Sequence, residues 1–122
     1  MLRASVRRVR DRIGVAGERA AADAYRRRGY RIVARNWRCR LGELDLVIER
    51  GGVLVFCEVK SRRPGVFGGG YEAVTWRKQA KLRALAEVFL QAGGDRPQAI
   101  RFDVASVAVR DRSAVELFED AF

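Results

Sequence analysis

The chain has 122 residues, 48% of them hydrophobic and 33% charged, which fits one globular domain with a single core and excludes a disordered chain. Twenty-five Lys and Arg stand against 15 Asp and Glu, a formal net charge of +10, and apart from Lys60, Lys78 and Lys81 every basic residue is Arg, whose planar fork suits phosphate, so a polyanionic partner is expected. The absence of His, two cysteines (Cys39 and Cys57) outside any C-x-x-C spacing, and the lack of an apolar run near the about 18 residues of a membrane span exclude zinc sites and His-dependent triads and predict a soluble, reduced, cytoplasmic protein with no membrane partner.

Residues 1–13, with Arg3, Arg7, Arg8, Arg10 and Arg12, read as a basic N-terminal tail ahead of one domain over residues 14–122. Gly17 to Arg28 is rich in Ala and Arg and predicts a helix stopped at Gly29. Its inward stripe is Glu18, Ala21, Ala22 and Tyr25, which puts an acid on the core side. Tyr30 to Trp37 predicts a first strand, followed by an exposed basic connection with Arg38 and Arg40.

Glu43 to Arg50 and Val53 to Lys60 predict a hairpin, because Gly51-Gly52 between them supplies the positive φ angles of a two-residue turn. With Arg50 paired to Val53, the register sets Asp45 opposite Glu58 and Glu43 opposite Lys60, all four on one face. Facing carboxylates at Cβ separations of roughly 4.5–5.5 Å repel and call for a cation. The unbroken apolar run Val53 to Cys57 marks a central strand buried on both faces, with Cys57 a small core residue. Glu58 and Lys60 then emerge at its end, into a cleft.

A basic, glycine-rich loop follows, with Arg62, Arg63 and Gly68-Gly69-Gly70; its spacing matches neither the P-loop nor the dinucleotide fingerprint. A second helix is expected from Ala73 to Ala92, with Leu82, Leu85, Ala86, Phe89 and Leu90 at core spacing and Arg77, Lys78, Gln79, Lys81 and Arg83 on a solvated basic face. Ile100 to Val109 predicts a further strand, in which Asp103 reads either as a catalytic acid or, more commonly for such a residue, as the partner of an Arg. Val115 to Phe122 predicts a small terminal element. The order gives an α/β fold with an αβββαβ core, a mixed sheet flanked by helices.

Phosphodiester hydrolysis needs a divalent cation to neutralise developing charge and to lower the pKa of an attacking water. Oxygen ligands of the Asp45 and Glu58 kind suit Mg²⁺ or Mn²⁺, with Glu18 completing the shell directly or through water. Lys60 is placed to hold or deprotonate the water, or to stabilise charge on the phosphorane.

Gly17-Glu18 with Ala21 or Ala22, Gly29-Tyr30, Asn36-Trp37-Arg38, Gly42-Glu43-Leu44-Asp45-Leu46, Val55-Phe56-Cys57-Glu58-Val59-Lys60, Ala73-Val74-Thr75 with Lys78-Gln79, and Arg101-Phe102-Asp103-Val104 together resemble the YraN-like family of small bacterial proteins. That family is placed in the PD-(D/E)XK restriction-endonuclease-like superfamily and is similar to archaeal Holliday junction resolvases. The resemblance spans about residues 14 to 109. It implies a restriction-endonuclease-like core, metal binding by Asp45, Glu58 and the Val59 carbonyl, a catalytic Lys60, an accessory acid at Glu18, and an auxiliary polar residue at Gln79. Leu44, where the superfamily pattern has Pro, is ordinary for the resolvase-like branch.

The expected function is a Mg²⁺-dependent endonuclease acting on branched or otherwise structured DNA, with nucleic-acid contacts from Arg38, Arg40, Arg62, Arg63, Lys78, Gln79 and Lys81. Four-way-junction cleavage would call for a homodimer. The alternatives are a non-catalytic nucleic-acid-binding or DNA-repair accessory protein, and a scaffold whose acids and Arg residues form structural ion pairs. DNA and RNA are not distinguished by these residues.

Overall fold

The computed structural model describes residues 2–62, 74–93, 96–108 and 114–122, and the side chains of residues 2–13 fall outside that description. In chain order the elements are α1 (Leu2–Arg27), β1 (Arg31–Cys39), β2 (Gly42–Arg50), β3 (Val53–Arg62), α2 (Trp76–Ala92), β4 (Ala99–Ala108) and β5 (Val115–Phe118). This is the expected αβββαβ core with one short strand added. The first helix starts at Leu2, not Gly17, so residues 2–13 continue it. Their Ala, Arg, Leu and Val are compatible with a helix, and Gly14 and Gly17 each cost only about 1 kcal/mol relative to Ala, too little to end it. Arg63 and the glycine run at 68–70 lie outside the described residues.

The strands form one mixed sheet in the order β1-β2-β3-β4-β5. Only β3 and β4 run parallel, joined by a crossover through α2. Gly51 and Gly52 have φ of 58° and 82°, the left-handed pair that a tight hairpin turn requires. Arg50 therefore pairs with Val53, and the register runs unbroken to Leu46 opposite Cys57.

β3 is central, and Leu54 through Cys57 are all buried. Val53, Val55, Cys57 and Val59 pack with Ala21, Ala22 and Tyr25 of α1. Leu54 and Phe56 pack with Leu82, Leu85 and Ala86 of α2. Each sheet face is thus closed by one helix, which is why a strand with no polar alternation is stable here. Thr75 caps α2, its hydroxyl accepting the Lys78 N–H at 3.2 Å.

Asp103 on β4 is fully buried and completely paired. It accepts two bonds from Arg101 (2.8 and 2.9 Å), one from the Tyr25 hydroxyl (2.8 Å) and one from the Asp120 N–H (3.0 Å). The sequence reading of Asp103 as an Arg partner is the one observed. Burial pushes the Tyr25 phenol and the Cys57 thiol up, so both stay protonated and Cys57 is a core residue, not a nucleophile.

Candidate metal centre

The site begins where the sheet comes apart. Period-two alternation fails on β2: Leu44 packs on the α2 side, whereas Leu46 and Ile48 pack on the α1 side. The β1–β2 ladder keeps one register across this point, with Arg35 opposite Leu46 and Trp37 opposite Leu44, but records no pair between Asn36 and Asp45. Asn36 has φ of 50°, a left-handed conformation that Asn tolerates better than most residues. A second irregularity lies at Val33, between Ile32 and Ala34.

The described β2–β3 ladder stops at Leu46 and Cys57. Beyond it Asp45 reaches across with its side chain, and its carboxylate accepts the Val59 N–H at 2.9 Å. The expected ladder pairs Asp45–Glu58 and Glu43–Lys60 are not recorded, and Glu43 meets Glu18 and Arg38 instead of Lys60, although the Glu58 charge still acts on Asp45. The β2 chain changes side at the break, and the four residues are dealt to different partners.

Glu43 and Asp45 turn toward α1 and meet Glu18, so that one carboxylate oxygen from each lies within 4.8 Å of the others. Glu18 reaches the site because Gly17 is buried against β3. A Cβ there would lie 3.2 Å from Ser61 Oγ and 3.8 Å from a Val59 methyl. Glu58, only 8% exposed, instead forms an ion pair with Lys78 in the first turn of α2. Lys60 is half-buried on β3 and forms no ion pair with a described residue.

The electrostatics follow the geometry. Burial first, then the negative charge of Glu58, push the Asp45 carboxyl up to about 7, against the opposing hydrogen bond from Val59. Glu18 is also raised, by burial and by Glu43, while a hydrogen bond from Asn36 and the charges of Arg35 and Arg38 oppose the shift. Three clustered carboxylates, two of them reluctant to ionise, are the donor set that a hard divalent cation relieves. Glu18, Glu43 and Asp45 thus fit Mg²⁺ or Mn²⁺, while Glu58 is held by Lys78 outside that group of three. The Val59 peptide is beside Asp45, though what the structure records there is its N–H.

The predicted phosphate contacts divide. Arg38 is exposed and pairs with Glu43 at 3.3 Å, at the rim of the acidic cluster. Arg40 is exposed. Lys81 is exposed beside Gly42, where a Cβ would come within 2.9 Å of its Cε. Gln79 donates to the Val74 carbonyl at 3.1 Å, inside its own helix start. Arg62 is a structural residue: its guanidinium donates to the Ser106 carbonyl, the Ser106 hydroxyl and the Ala114 carbonyl and lies 3.6 Å from Glu116, tying β5 to the sheet. Glu43 is legible in the sequence as an acid two residues before Asp45, but its place beside Glu18 is not. Its predicted partner was Lys60.

No described helix is long and apolar enough to cross a membrane. The model of the uncharacterised protein family UPF0102 matches residues 17–107. A UPF0102 protein of Symbiobacterium thermophilum is 52% identical over 96 residues, 79% of this chain and 81% of its own length. One from a Parafrankia strain is 49% identical over 100 residues, 82% and 85% of the two chains. One from Pelotomaculum thermopropionicum is 44% identical over 113 residues, 90% and 94%.

Proposed function

The chain belongs to the uncharacterised protein family UPF0102, and from that premise we propose that it is a Mg²⁺-dependent endonuclease of the PD-(D/E)XK restriction-endonuclease-like kind, similar to archaeal Holliday junction resolvases, that hydrolyses phosphodiester bonds in branched or otherwise structured DNA. The observation that carries the reading is the convergence of Glu18, Glu43 and Asp45 at a break in the sheet, one strand away from Glu58 and Lys60, on a chain of net charge +10. A purely structural acidic cluster on so basic a protein would be expected to sit among neutralising Arg partners. Here Arg38 pairs with Glu43, and Arg35 and Arg38 also act on Glu18, but Asp45 forms no ion pair among the described residues and its carboxyl stays raised.

In this reading Glu18, Glu43, Asp45 and Glu58 hold the cation, which supplies charge neutralisation at the phosphate and a more acidic water. Lys60 orients that water or the phosphate oxygens. Arg38, Arg40 and Lys81 hold the strand by its backbone, which steers binding without selecting sequence. Cys39 and Cys57 are free thiols, which supports a reducing, cytoplasmic setting. Cleavage of a four-way junction at two symmetric points would need a homodimer.

The Lys78–Glu58 pair favours a second reading, a nucleic-acid-binding repair accessory in which an ammonium group permanently replaces the metal. One experiment separates the two. Purified protein is incubated with end-labelled linear, flapped and four-way-junction DNA and an RNA duplex in Mg²⁺ or Mn²⁺, beside Glu58→Ala purified identically. Cleavage by the wild type alone establishes the nuclease, and the substrate ranking names its class. Binding to these substrates without cleavage rejects it in favour of the accessory.

A further inference from the structure

Trp76, the first residue of α2, is the most exposed large hydrophobic side chain described, at 73%. Desolvating an indole is favourable, so one left in water on a folded surface marks a place where something flat and apolar docks. Its surroundings state the chemistry of that partner. The Arg77 guanidinium lies over the ring, 5.6 Å from its centroid, yet the indole as a whole stays in solvent, so a further partner can stack on it. Arg77, Lys78 and Lys81 follow at once in the sequence. The first turn of α2 carries no acidic residue, so the positive end of the helix is not neutralised by its own side chains. An exposed indole with a guanidinium beside it, at the unneutralised positive end of a helix, fits a nucleobase with its phosphate attached.

The position matters as much as the chemistry. Lys78, two residues from Trp76 in the same helical turn, pairs with Glu58, so the turn that presents the indole is in direct contact with the acidic centre. We propose that Trp76 is a stacking platform for an unpaired base of a nucleic-acid strand, with Arg77 holding the adjoining phosphate. A base paired within a continuous duplex offers no free face, so this residue selects single-stranded, flapped or junction DNA over blunt duplex. The inference deepens the nuclease reading and rests on it for the path of the strand.

The test is binding in the presence of chelator, so that nothing is cut. A single-stranded oligodeoxythymidylate and a blunt duplex of equal length are titrated against wild type, Trp76→Ala and Trp76→Phe, following tryptophan emission and affinity at several salt concentrations. Only Trp76 and Trp37 emit, and Trp37 is packed edge-on against Phe89. The expected result is quenching of wild-type emission by the single strand. Trp76→Ala should weaken single-strand binding about tenfold, as stacking on an aromatic ring predicts, with the salt slope and the duplex affinity unchanged, and Trp76→Phe should recover most of the loss. Binding of both nucleic acids with no effect of Trp76→Ala, or an equal effect on both, overturns the platform and leaves the nuclease reading standing. Absence of binding to either nucleic acid by the wild type, both in chelator and with Ca²⁺ in place of Mg²⁺, overturns both readings.

Discussion

The carboxylate of Asp45 does for β2 and β3 what a backbone carbonyl does elsewhere in the ladder: it accepts the Val59 N–H, at 2.9 Å, across the point where the strands part. A side chain in that role frees the backbone to diverge. It also commits one oxygen of a carboxylate that lies beside those of Glu18 and Glu43.

Metal-free protein should become less stable as pH rises from about 4 to about 7. The Asp45 carboxyl titrates near 3.8 when unfolded and is raised to about 7 when folded, so below pH 4 it is protonated in both states and costs nothing. Between the two values the folded state binds the extra proton, and above 7 the full cost of a buried anion is present. One such proton gives a slope of up to about 1.4 kcal/mol per pH unit. Urea midpoints measured in chelator across this range should fall for the wild type and flatten for Asp45→Asn. Saturating Mg²⁺ should remove the fall in the wild type only.

If the nuclease reading holds, Lys78 and the metal compete for Glu58. Lys78→Met should lower metal-free stability by about 1–2 kcal/mol, since a nearly buried carboxylate loses its cation while the exposed half of the Lys limits the gain it supplied. The same variant should bind Mg²⁺ several-fold more tightly by calorimetry. Equal Mg²⁺ affinity in the two proteins would place the metal away from Glu58.

Asp103 holds α1, β4 and the C-terminal turn together, and its loss should be a matter of stability. Asp103→Ala strands the Arg101 guanidinium, the Tyr25 hydroxyl and the Asp120 N–H, which should cost about 3–5 kcal/mol. Urea denaturation reads that loss. At temperatures where the variant remains folded, its Mg²⁺ affinity should match the wild type, whereas a metal ligand would lose binding without losing stability.

The hairpin turn should distinguish its two glycines. At Gly52, φ is +82° and a Cβ would approach the Gln98 side chain to 3.0 Å, whereas Gly51 opens onto free space. Gly52→Ala should therefore destabilise by about 1–2 kcal/mol, and Gly51→Asn should be neutral or slightly stabilising, because Asn accepts the left-handed conformation and restricts the unfolded chain. Denaturant midpoints of the two variants decide this.

Much of this architecture was legible in the residues. Gly51-Gly52 dictated a two-residue turn, the turn dictated the register, and the unbroken run to Cys57 identified the central strand. The stripe Glu18, Ala21, Ala22 and Tyr25 placed an acid on the core side of α1, where it is found. The site resisted the same reasoning because period two was carried one residue too far. The left-handed Asn36 and the divergence at Asp45 have no periodic signature, and they are what send Glu43 to Glu18 instead of Lys60. The long side chains were harder still. Lys78, Arg38 and Arg62 sit in basic stretches that look alike in sequence, and only the folded chain distinguishes the one that neutralises Glu58 and the one that covers Glu43 from the one that ties down β5.

The interrupted sheet also sets a conflict between durability and use. Substitutions that let Asn36 and Asp45 pair as ordinary strand residues would fill the gap in the β1–β2 ladder, lengthen the β2–β3 ladder and strengthen the domain. They would also pull Asp45 away from Glu18. Selection for heat resistance alone would be expected to heal the sheet and, in healing it, to dismantle the cluster of acids.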